Sequence, residues 1–311
     1  MSLVVHVEAV VYGVIFEFGY VTGDVDDRHS LDPTGRRRSG GATVGRLPRD
    51  LRVPSLLVTP PDDVLQVLRD AAGAVRERLQ GLSDWGLAGT RPGQYRSDLV
   101  ADAAVLEVID AAGFATFSEE SGVHHAERSV VVVVDPVDGS TNASRGLPWW
   151  ATSLCALDAD GALAALVVNQ ATGVRFEAVR GGGAFCDGEP IAPTDCPSMD
   201  RAIVAFSGYP DRWLGWMQYR SLGAAALDLC AVASGSLDAF IDCAADSLAP
   251  WDYLGGMMIC AEAGASVAEA FDRDLIVRGG DERRTVVAAA TPELLDEALA
   301  ARRRLAEAPE R

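Results

Sequence analysis

The sequence of 311 residues contains no lysine: its 27 basic residues are all arginines, against 45 acidic residues. This absence excludes Schiff-base and pyridoxal-phosphate chemistry and the G-x-x-x-x-G-K-[ST] phosphate loop, because each needs a lysine ammonium group. Histidine is also scarce. The four histidines, at positions 6, 29, 124 and 125, form neither an H-E-x-x-H motif nor another spacing typical of a zinc site.

Signals for disulfide bonds and membrane insertion are absent as well. The six cysteines, at positions 155, 186, 196, 230, 243 and 260, include no C-x-x-C pair and lie in apolar segments, which is typical of buried thiols in a reducing cytoplasm. The longest apolar run, residues 3–21, contains His6, Glu8 and Glu17 and follows no basic residue. We therefore expect a cytoplasmic protein without a signal peptide or a membrane span.

Positive charge is in short supply. The formal net charge of -18 gives the surface a field that repels nucleic acid and anionic lipid, so we expect neither as a partner. A phosphorylated substrate would be repelled too, and its binding requires cations at the site. The composition, 49% apolar and 23% charged residues, is that of a globular protein with one large domain or two modest ones.

The chain has three regions with different residue patterns. Residues 1–60 join an apolar run to a Gly-, Arg- and Asp-rich stretch without periodicity, and we interpret them as a poorly ordered extension or as sequence upstream of the physiological start. Residues 61–200 predict a helix from Asp62, a second helix at 98–112, and strands at 115–118, 130–134, 151–157 and 162–168. Residues 201–311 predict strands at 202–206, 237–241 and 285–289, and helices around 215–220, at 223–233 and 251–263, and from Pro292.

These patterns predict an α/β protein in two parts. The region 61–200 has its helices packed on a largely antiparallel sheet, which is an α+β arrangement. The region 201–311 alternates strands and helices, which is typical of α/β. We expect the first part to bind metal and the second to complete the site.

The most informative segment is V-V-V-V-V-D-P-V-D-G-S-T-N, residues 130–142. A buried strand ends at Asp135, and Pro136 fixes a turn that lets Asp138 point to the same side. The two carboxylates and the intervening carbonyl of Val137 are hard oxygen ligands of the kind that Mg²⁺ prefers. The segment therefore predicts a magnesium site.

The residues after the second aspartate can hold a phosphate. Gly139, Ser140 and Thr141 begin a helical turn, where backbone N–H groups are free to bind an anion and a hydroxyl lies beside them. Alternatively, Asp-Pro and Asp-Gly merely mark two turns, and either dipeptide alone would favour that interpretation. The whole string favours a site.

This string resembles the signature of the inositol monophosphatase family, Mg²⁺-dependent and lithium-sensitive phosphatases that include fructose-1,6-bisphosphatases and 3'-phosphonucleotide phosphatases. Two more blocks occur in family order: F-S-E-E-S-G at 117–122 is similar to the G-E-E segment, and A-P-W-D-Y-L-G-G-M-M-I-C-A-E-A-G-A at 249–265 is similar to W-D-x-A-x-G with E-A-G. The resemblance covers about residues 62–300. It implies a layered αβαβα sugar-phosphatase fold and a homodimer.

The resemblance also implies a set of metal ligands. They are Glu119, Asp135, the carbonyl of Val137, Asp138 and Asp252, and Glu120 falls on a neighbour of the first ligand. At about 4 Å and an effective dielectric constant of roughly 20, each like-charge contact in such a cluster costs about 4 kcal/mol. Because only divalent cations make this tolerable, we expect two or three Mg²⁺ ions.

A further element concerns water activation. R-S-D-L-V-A-D at 96–102 resembles the family's D-x-V-T-x-x-D, whose last aspartate works with the hydroxyl after D-G to activate the attacking water. The stretch is two residues short, and Ala101 replaces its threonine. The resemblance assigns the catalytic role to Asp102 with Ser140, with Asp98 as second choice. Otherwise Asp98 is an ordinary helix N-cap and Asp102 a solvated helix residue.

The substrate contacts follow from the same resemblance. They are Gly139, Ser140 and Thr141; Gly223, Ala224 and Ala225 in R-S-L-G-A-A-A at 220–226; and Asp242 at the end of a strand. Alternatively, the segment at 223–225 is a helix start with small residues packed against a neighbour. A carboxylate at position 242 accepts hydrogen bonds from ring hydroxyls and repels a second phosphate, which favours a small polyol phosphate.

The predicted function is hydrolysis of a small phosphorylated metabolite, myo-inositol monophosphate first. Alternative substrates are histidinol phosphate, 3'-phosphoadenosine-5'-phosphate and fructose 1,6-bisphosphate. A catalytically silent binding protein on the same fold is an alternative of another class, because a fold does not define a function.

Overall fold

The computed structural model describes residues 7–11, 14–18, 59–277 and 282–306. The chain divides into two units, Met1–Leu56 and Leu57–Arg311. In the first unit, strands β1 (Val7–Val11) and β2 (Val14–Phe18) pair in antiparallel orientation. The rest of the predicted extension, including residues 19–58, lies outside the described residues, and the prediction for it stays a prediction.

The second unit contains two sheets with helices. The helices are α1 (Pro61–Gln80), α2 (Arg96–Ala111), α3 (Ser140–Arg145), α4 (Ala225–Ala233), α5 (Pro250–Ala263) and α6 (Pro292–Ala306), with a 3₁₀ turn at Met199–Arg201. The first sheet consists of β3 (Ala115–Ser118), β4 (Gly122–His124), β5 (Val131–Asp138), β6 (Ala151–Asp158), β7 (Gly161–Asn169), β8 (Arg175–Val179), β9 (Gly183–Cys186) and β10 (Glu189–Pro190). The second consists of β11 (Ile203–Ser207), β12 (Gln218–Arg220), β13 (Ala239–Asp242), β14 (Ser266–Glu269) and β15 (Val286–Ala289).

The two sheets differ in topology. The first has the strand order β10-β9-β8-β7-β6-β5-β3-β4 and is antiparallel except for the pair β3 and β5. The second has the order β12-β11-β13-β15-β14, and β11 runs parallel to both β12 and β13. The largely antiparallel sheet expected for the first part is therefore present, and the second part carries the parallel strands.

Alternating side chains along the strands separate the core into layers. In β5, Val132 packs in the cluster that contains α1 and α2, whereas Val133 packs in the cluster that contains α4 and α5. In β11, Ala205 packs with α4 and α5, and Phe206 packs with α6. The layers are thus α1 and α2, first sheet, α4 and α5, second sheet, and α6. The predicted αβαβα fold is confirmed.

Helix α5 fits closely between its neighbours. A Cβ atom at Gly255 would lie 2.7 Å from Ser153 Oγ, and one at Gly256 would lie 2.5 Å from Leu229 Cβ. Only residues without a side chain allow the helix to approach β6 and α4 this closely. Because Asp252 lies in the first turn of α5, this packing also fixes the position of its carboxylate.

The predicted helix around 215–220 is wrong. Residues Gln218–Arg220 form the edge strand β12. Trp213, Trp216 and Tyr219 have a helix-like spacing, but their rings pack edge-on, with centroids of Trp216 and Tyr219 5.6 Å apart. Gly215 has a φ of 105°, which a continuous helix does not permit.

The structure also bears on the sequence predictions about cysteine and membrane insertion. All six cysteines are free thiols, and Cys155, Cys230 and Cys260 are buried. Burial raises the pKa of the Cys155 thiol to about 12, so it stays protonated at neutral pH. Across the described ranges, no helix combines the length and apolar character needed to cross a membrane.

The packing of α5 can be tested with two glycine variants. Gly256→Ala should lower the free energy of unfolding by about 2 kcal/mol, because overpacking against Leu229 outweighs the helix propensity of alanine. Gly73→Ala in α1 is the matched control: its Cβ would meet nothing within 4 Å, so it should gain up to about 1 kcal/mol. Urea unfolding measures both, and equal effects would contradict the close packing.

Candidate active site

Four acidic side chains meet where separate elements end or begin. Glu119 directly follows β3, and its N–H donates to the carbonyl of Val134 in β5 (3.1 Å). Asp135 and Asp138 lie in β5, where the pairing with β6 shifts register between them. Asp252 lies in the first turn of α5. Because β3 and β5 are parallel neighbours, their carboxyl ends share one edge of the sheet.

The four carboxylates repel one another. Burial and repulsion from Asp252 raise the pKa of Glu119 to about 8. Burial, followed by repulsion from Glu119 and Asp138, holds the pKa of Asp135 well above its usual range. Burial and Asp252 do the same to the pKa of Asp138. Burial also raises the pKa of Asp252 to about 6, against the opposing effects of the Ala249 N–H and Arg283.

Backbone N–H groups orient the three aspartates. Within the described ranges, no three His, Cys, Asp or Glu side chains are already arranged as a metal-holding group. Each aspartate directs one oxygen to a backbone N–H and keeps the other oxygen for a further contact. The pairs are Asp135 with Val137 (3.0 Å), Asp138 with Ala226 (2.7 Å) and Asp252 with Ala249 (2.6 Å).

The donor set fits Mg²⁺. It consists of carboxylate oxygens and a carbonyl, without sulfur or imidazole, which is the chemistry that hard cations select. The carbonyl of Val137 accepts a hydrogen bond from the Ser140 hydroxyl (2.9 Å) and keeps a second lone pair. A divalent cation would also relieve the mutual repulsion of the carboxylates.

The two predicted phosphate-binding segments lie against each other. Gly139 has a φ of 87° at the N-cap of α3, and Ser140 and Thr141 form the first turn. A Cβ at Gly139 would lie 3.1 Å from the carbonyl oxygen of Gly223 and 3.2 Å from the Cβ of Ala224. Ala225 then begins α4. Glycine at position 139 therefore permits both the turn and the contact between the segments.

The structure gives different partners to the two aspartates considered for water activation, Asp102 and Asp98. Asp102 accepts a hydrogen bond from the hydroxyl of Ser118 (2.5 Å), the residue that directly precedes Glu119. Asp98 lies close enough to the Ser140 hydroxyl for that hydroxyl to lower its pKa, and it accepts the Tyr95 N–H (2.8 Å). The second choice of the sequence analysis is thus the one beside the hydroxyl. Because α2 begins at Arg96, Asp98 lies in its first turn and Asp102 one turn further along.

The structure places Asp242, which the sequence assigned to substrate hydroxyls, in a closed position. Its side chain is fully buried, at 0% exposure. Both carboxylate oxygens accept the Ser247 hydroxyl (2.9 Å each), and Oδ1 also accepts the Ala244 N–H (3.2 Å). Burial raises the pKa of Asp242 to about 7. Asp242 is the last residue of β13, which lies between β11 and β15 in the second sheet.

Arginine near the acidic cluster was missed by the sequence analysis. Arg91 pairs with Glu120 Oε2 (2.6 Å), and its guanidinium also reaches the backbone carbonyl of Glu119 (3.4 Å). Gln94 donates to the same carboxylate of Glu120. From the sequence, only a general argument pointed to such an arginine: on a chain with a net charge of -18, binding of an anionic ligand needs a nearby cation.

These features define a class of protein. An αβαβα fold places acidic oxygens suited to a divalent cation beside a turn with free N–H groups, which is the arrangement of a metal-dependent phosphatase.

Known proteins agree with this class. The model of the inositol monophosphatase family matches residues 96–307. A fructose-1,6-bisphosphatase/inositol-1-monophosphatase of Archaeoglobus fulgidus is 34% identical over 239 residues, 73% of this chain and 93% of the relative. Nus factor SuhB of Salmonella typhimurium is 30% identical over 190 residues, 55% of this chain and 70% of the relative. The structure of an inositol monophosphatase from Anabaena matches with a TM-score of 0.65 at 23% identity, covering 80% of this chain and 97% of the other.

The chain belongs to the inositol monophosphatase family. The hydrolases of this family are phosphatases that depend on a metal ion, typically Mg²⁺, and act on phosphorylated substrates.

A pair of isosteric variants separates the two aspartates of α2. Asp98→Asn should lower kcat for phosphate-ester hydrolysis by about 10²-fold, because the amide cannot accept a proton from water. Asp102→Asn keeps an acceptor for Ser118 and should lose less than about tenfold. Phosphate release at saturating substrate and Mg²⁺ gives both values, with circular dichroism as the check on folding. A greater loss in the Asp102 variant would restore the first assignment.

Proposed function

We propose that this protein is a Mg²⁺-dependent phosphomonoesterase that hydrolyses a small phosphorylated polyol. One observation carries the proposal: four mutually repelling carboxylates lie next to the turn that begins α3, and the α4 N-terminus packs against the same turn. A phosphate placed there would add negative charge, so binding requires divalent cations. The arrangement is suited to phosphoryl transfer.

The metal would be held by oxygen ligands from three elements. They are the carboxylates of Glu119, Asp135, Asp138 and Asp252 with the carbonyl of Val137, and we keep the prediction of two or three ions. When bound, Mg²⁺ supplies positive charge that neutralises the carboxylates and polarises the phosphoryl oxygens.

The protein's own part in the reaction is to position and deprotonate water. Asp98 and Ser140 hold the water, and Asp98 accepts its proton as the water oxygen attacks phosphorus in line with the leaving oxygen. Burial raises the pKa of Asp98, which makes its carboxylate a better base, while the Tyr95 N–H and Ser140 oppose that shift and keep it oriented. The phosphoryl group is transferred directly to water, and no covalent phosphoenzyme forms.

We no longer base the choice of substrate on Asp242, as the sequence analysis did. Asp242 is closed off by Ser247, so it neither selects ring hydroxyls nor repels a second phosphate. The name of the Archaeoglobus relative includes both fructose-1,6-bisphosphatase and inositol-1-monophosphatase. We therefore propose myo-inositol monophosphate as the first substrate and fructose 1,6-bisphosphate as the second. The presence of all four carboxylates favours an enzyme over a catalytically silent binding protein with the same fold.

Partners beyond the substrate stay predictions. The net charge of -18 supports the absence of a nucleic-acid partner, whereas the relative named Nus factor SuhB shows that a transcription-related name occurs in this family. The homodimer is proposed from family membership.

Metal dependence and the position of the cluster can be tested together. Phosphate release should require Mg²⁺, fall in the presence of lithium, and disappear in excess chelator. Asp138→Asn should lower kcat by about 10²-fold or more, because a ligand charge is lost. Asp160→Asn, in the exposed turn between β6 and β7, is the matched control and should retain wild-type kcat. Full activity in chelator would exclude the metal mechanism.

The closed position of Asp242 gives a second test. Asp242→Asn should leave KM for inositol monophosphate within about twofold of wild type, because a carboxylate without an open oxygen makes no ground-state contact. The same variant is assayed with fructose 1,6-bisphosphate and with p-nitrophenyl phosphate, which has no hydroxyls to lose. A rise in KM for inositol monophosphate alone would return Asp242 to the substrate site.

A further inference from the structure

A partly buried polar contact connects the loop after α3 to helix α4. The indole N–H of Trp149 donates to Asp228 Oδ1 (2.9 Å). Asp228 lies on α4, about one turn beyond the phosphate-binding segment at 223–225, and only 1% of its surface is exposed. Neither residue was singled out by the sequence motifs.

The backbone of Trp149 takes part in a second contact at the same place. Nδ2 of Asn142, in α3, donates to the carbonyl oxygens of both Trp149 and Leu222, each at 2.7 Å. An amide nitrogen has two N–H groups, and both are used here. One side chain therefore bridges the loop after α3 and the segment that leads into α4.

These contacts bear on a metal ligand. The N–H of Ala226, in the first turn of α4, donates to Asp138 Oδ2 (2.7 Å). The missing Cβ of Gly139 allows the carbonyl oxygens of Gly223 and Trp149 to approach within 3.1 and 3.2 Å of where it would lie. The orientation of Asp138 thus depends on how α4 is placed against α3, and Trp149 and Asp228 join the two.

A carboxylate is costly at the position of Asp228. All nine residues of α4 are buried, and the other eight are apolar. Burial raises the pKa of Asp228 to about 7, although the Trp149 indole opposes the shift. Replacing a buried charge by an apolar residue of similar volume is often neutral or stabilising. Packing in the fold therefore does not explain an acidic residue at position 228. Its role as a fixed hydrogen-bond acceptor for the Trp149 indole does explain it.

We propose that Trp149 and Asp228 are positioning residues, which hold the N-terminal turn of α4 against α3 so that Asp138 and the two phosphate-binding segments keep their working geometry. The effect on catalysis rests on the proposed function. The effect on metal binding does not, and it can be measured without a substrate.

Four variants separate positioning from stability. Trp149→Phe removes the indole N–H and keeps a ring, and Asp228→Leu replaces the acceptor with an apolar side chain. Each should weaken Mg²⁺ binding by about 10-fold to 100-fold and lower kcat by a similar factor, as partners of metal ligands typically do. Asp228→Asn keeps an oxygen acceptor and should stay within about threefold of wild type. Trp149→Phe with Asp228→Leu should be no worse than either single variant, because all three lose the same contact.

The measurements are Mg²⁺ titration calorimetry on the protein without substrate, phosphate release, and thermal unfolding. Trp213→Phe is the matched control. The indole N–H of Trp213 also donates a hydrogen bond, here to the backbone carbonyl of Trp216 (2.9 Å) rather than to an acidic side chain, so neither Mg²⁺ affinity nor kcat should change.

The double variant decides the interpretation. With both partners apolar, no buried polar group is left unpaired, so its stability should return to near the wild-type value. Positioning predicts that Mg²⁺ affinity and kcat stay low in this stable protein. If they recover along with stability, or if the single variants bind Mg²⁺ like wild type, the proposal is overturned. If wild type binds Mg²⁺ but hydrolyses no phosphate monoester, the proposed function fails and the Mg²⁺ affinities still decide the positioning role.

Discussion

Repulsion among four clustered carboxylates is the constraint on which the rest of this structure depends. Asp135 and Asp138 come from β5, Glu119 from the end of β3 and Asp252 from α5, and burial raises the pKa of all four. A cluster of this kind reduces the stability of the folded chain unless cations are bound. The packed layers on either side must therefore supply enough stability to keep it in place. In such a site, ligand binding and stability are linked: what fills the cluster also stabilises the fold.

The layers supply this stability through close packing around α5. Gly255 and Gly256 let the helix approach β6 and α4, and this packing places Asp252 near the carboxyl ends of β3 and β5. The aspartates are then held by backbone N–H groups rather than by other side chains. Backbone donors are fixed by secondary structure, so the direction of each carboxylate is set by the fold itself and not by mobile side chains.

Much of this could be predicted from sequence, for identifiable reasons. The run Val130–Val134 and the helical periodicity after Asp62 depend on local pattern, and the helix formed one residue from the expected start. The strand runs from Val131 to Asp138, so Asp135 and Pro136 lie within it rather than in a turn after it. The string from Asp135 to Asn142 is local too, since Asp135 and Asp138 are three residues apart. Asp98 and Asp102 could not be distinguished, because they lie on one helix and the choice depends on the contacts with Ser118 and Ser140 from other elements. The closed position of Asp242 could not be predicted for the same reason, because the residue that closes it off, Ser247, lies in a loop without a pattern.

The bond between Asp138 and Ala226 joins residues that are 88 positions apart. During synthesis, the strand with the aspartates and the turn that begins α3 emerge from the ribosome long before α4 and α5 exist. Until then the first sheet has one face uncovered, and Asp138 lacks the helix that orients it. Contacts of such sequence separation are slow to form and expose apolar surface while they do. The nascent chain therefore carries an incomplete carboxylate cluster, and only a chain that has been made past residue 252 can assemble all four carboxylates.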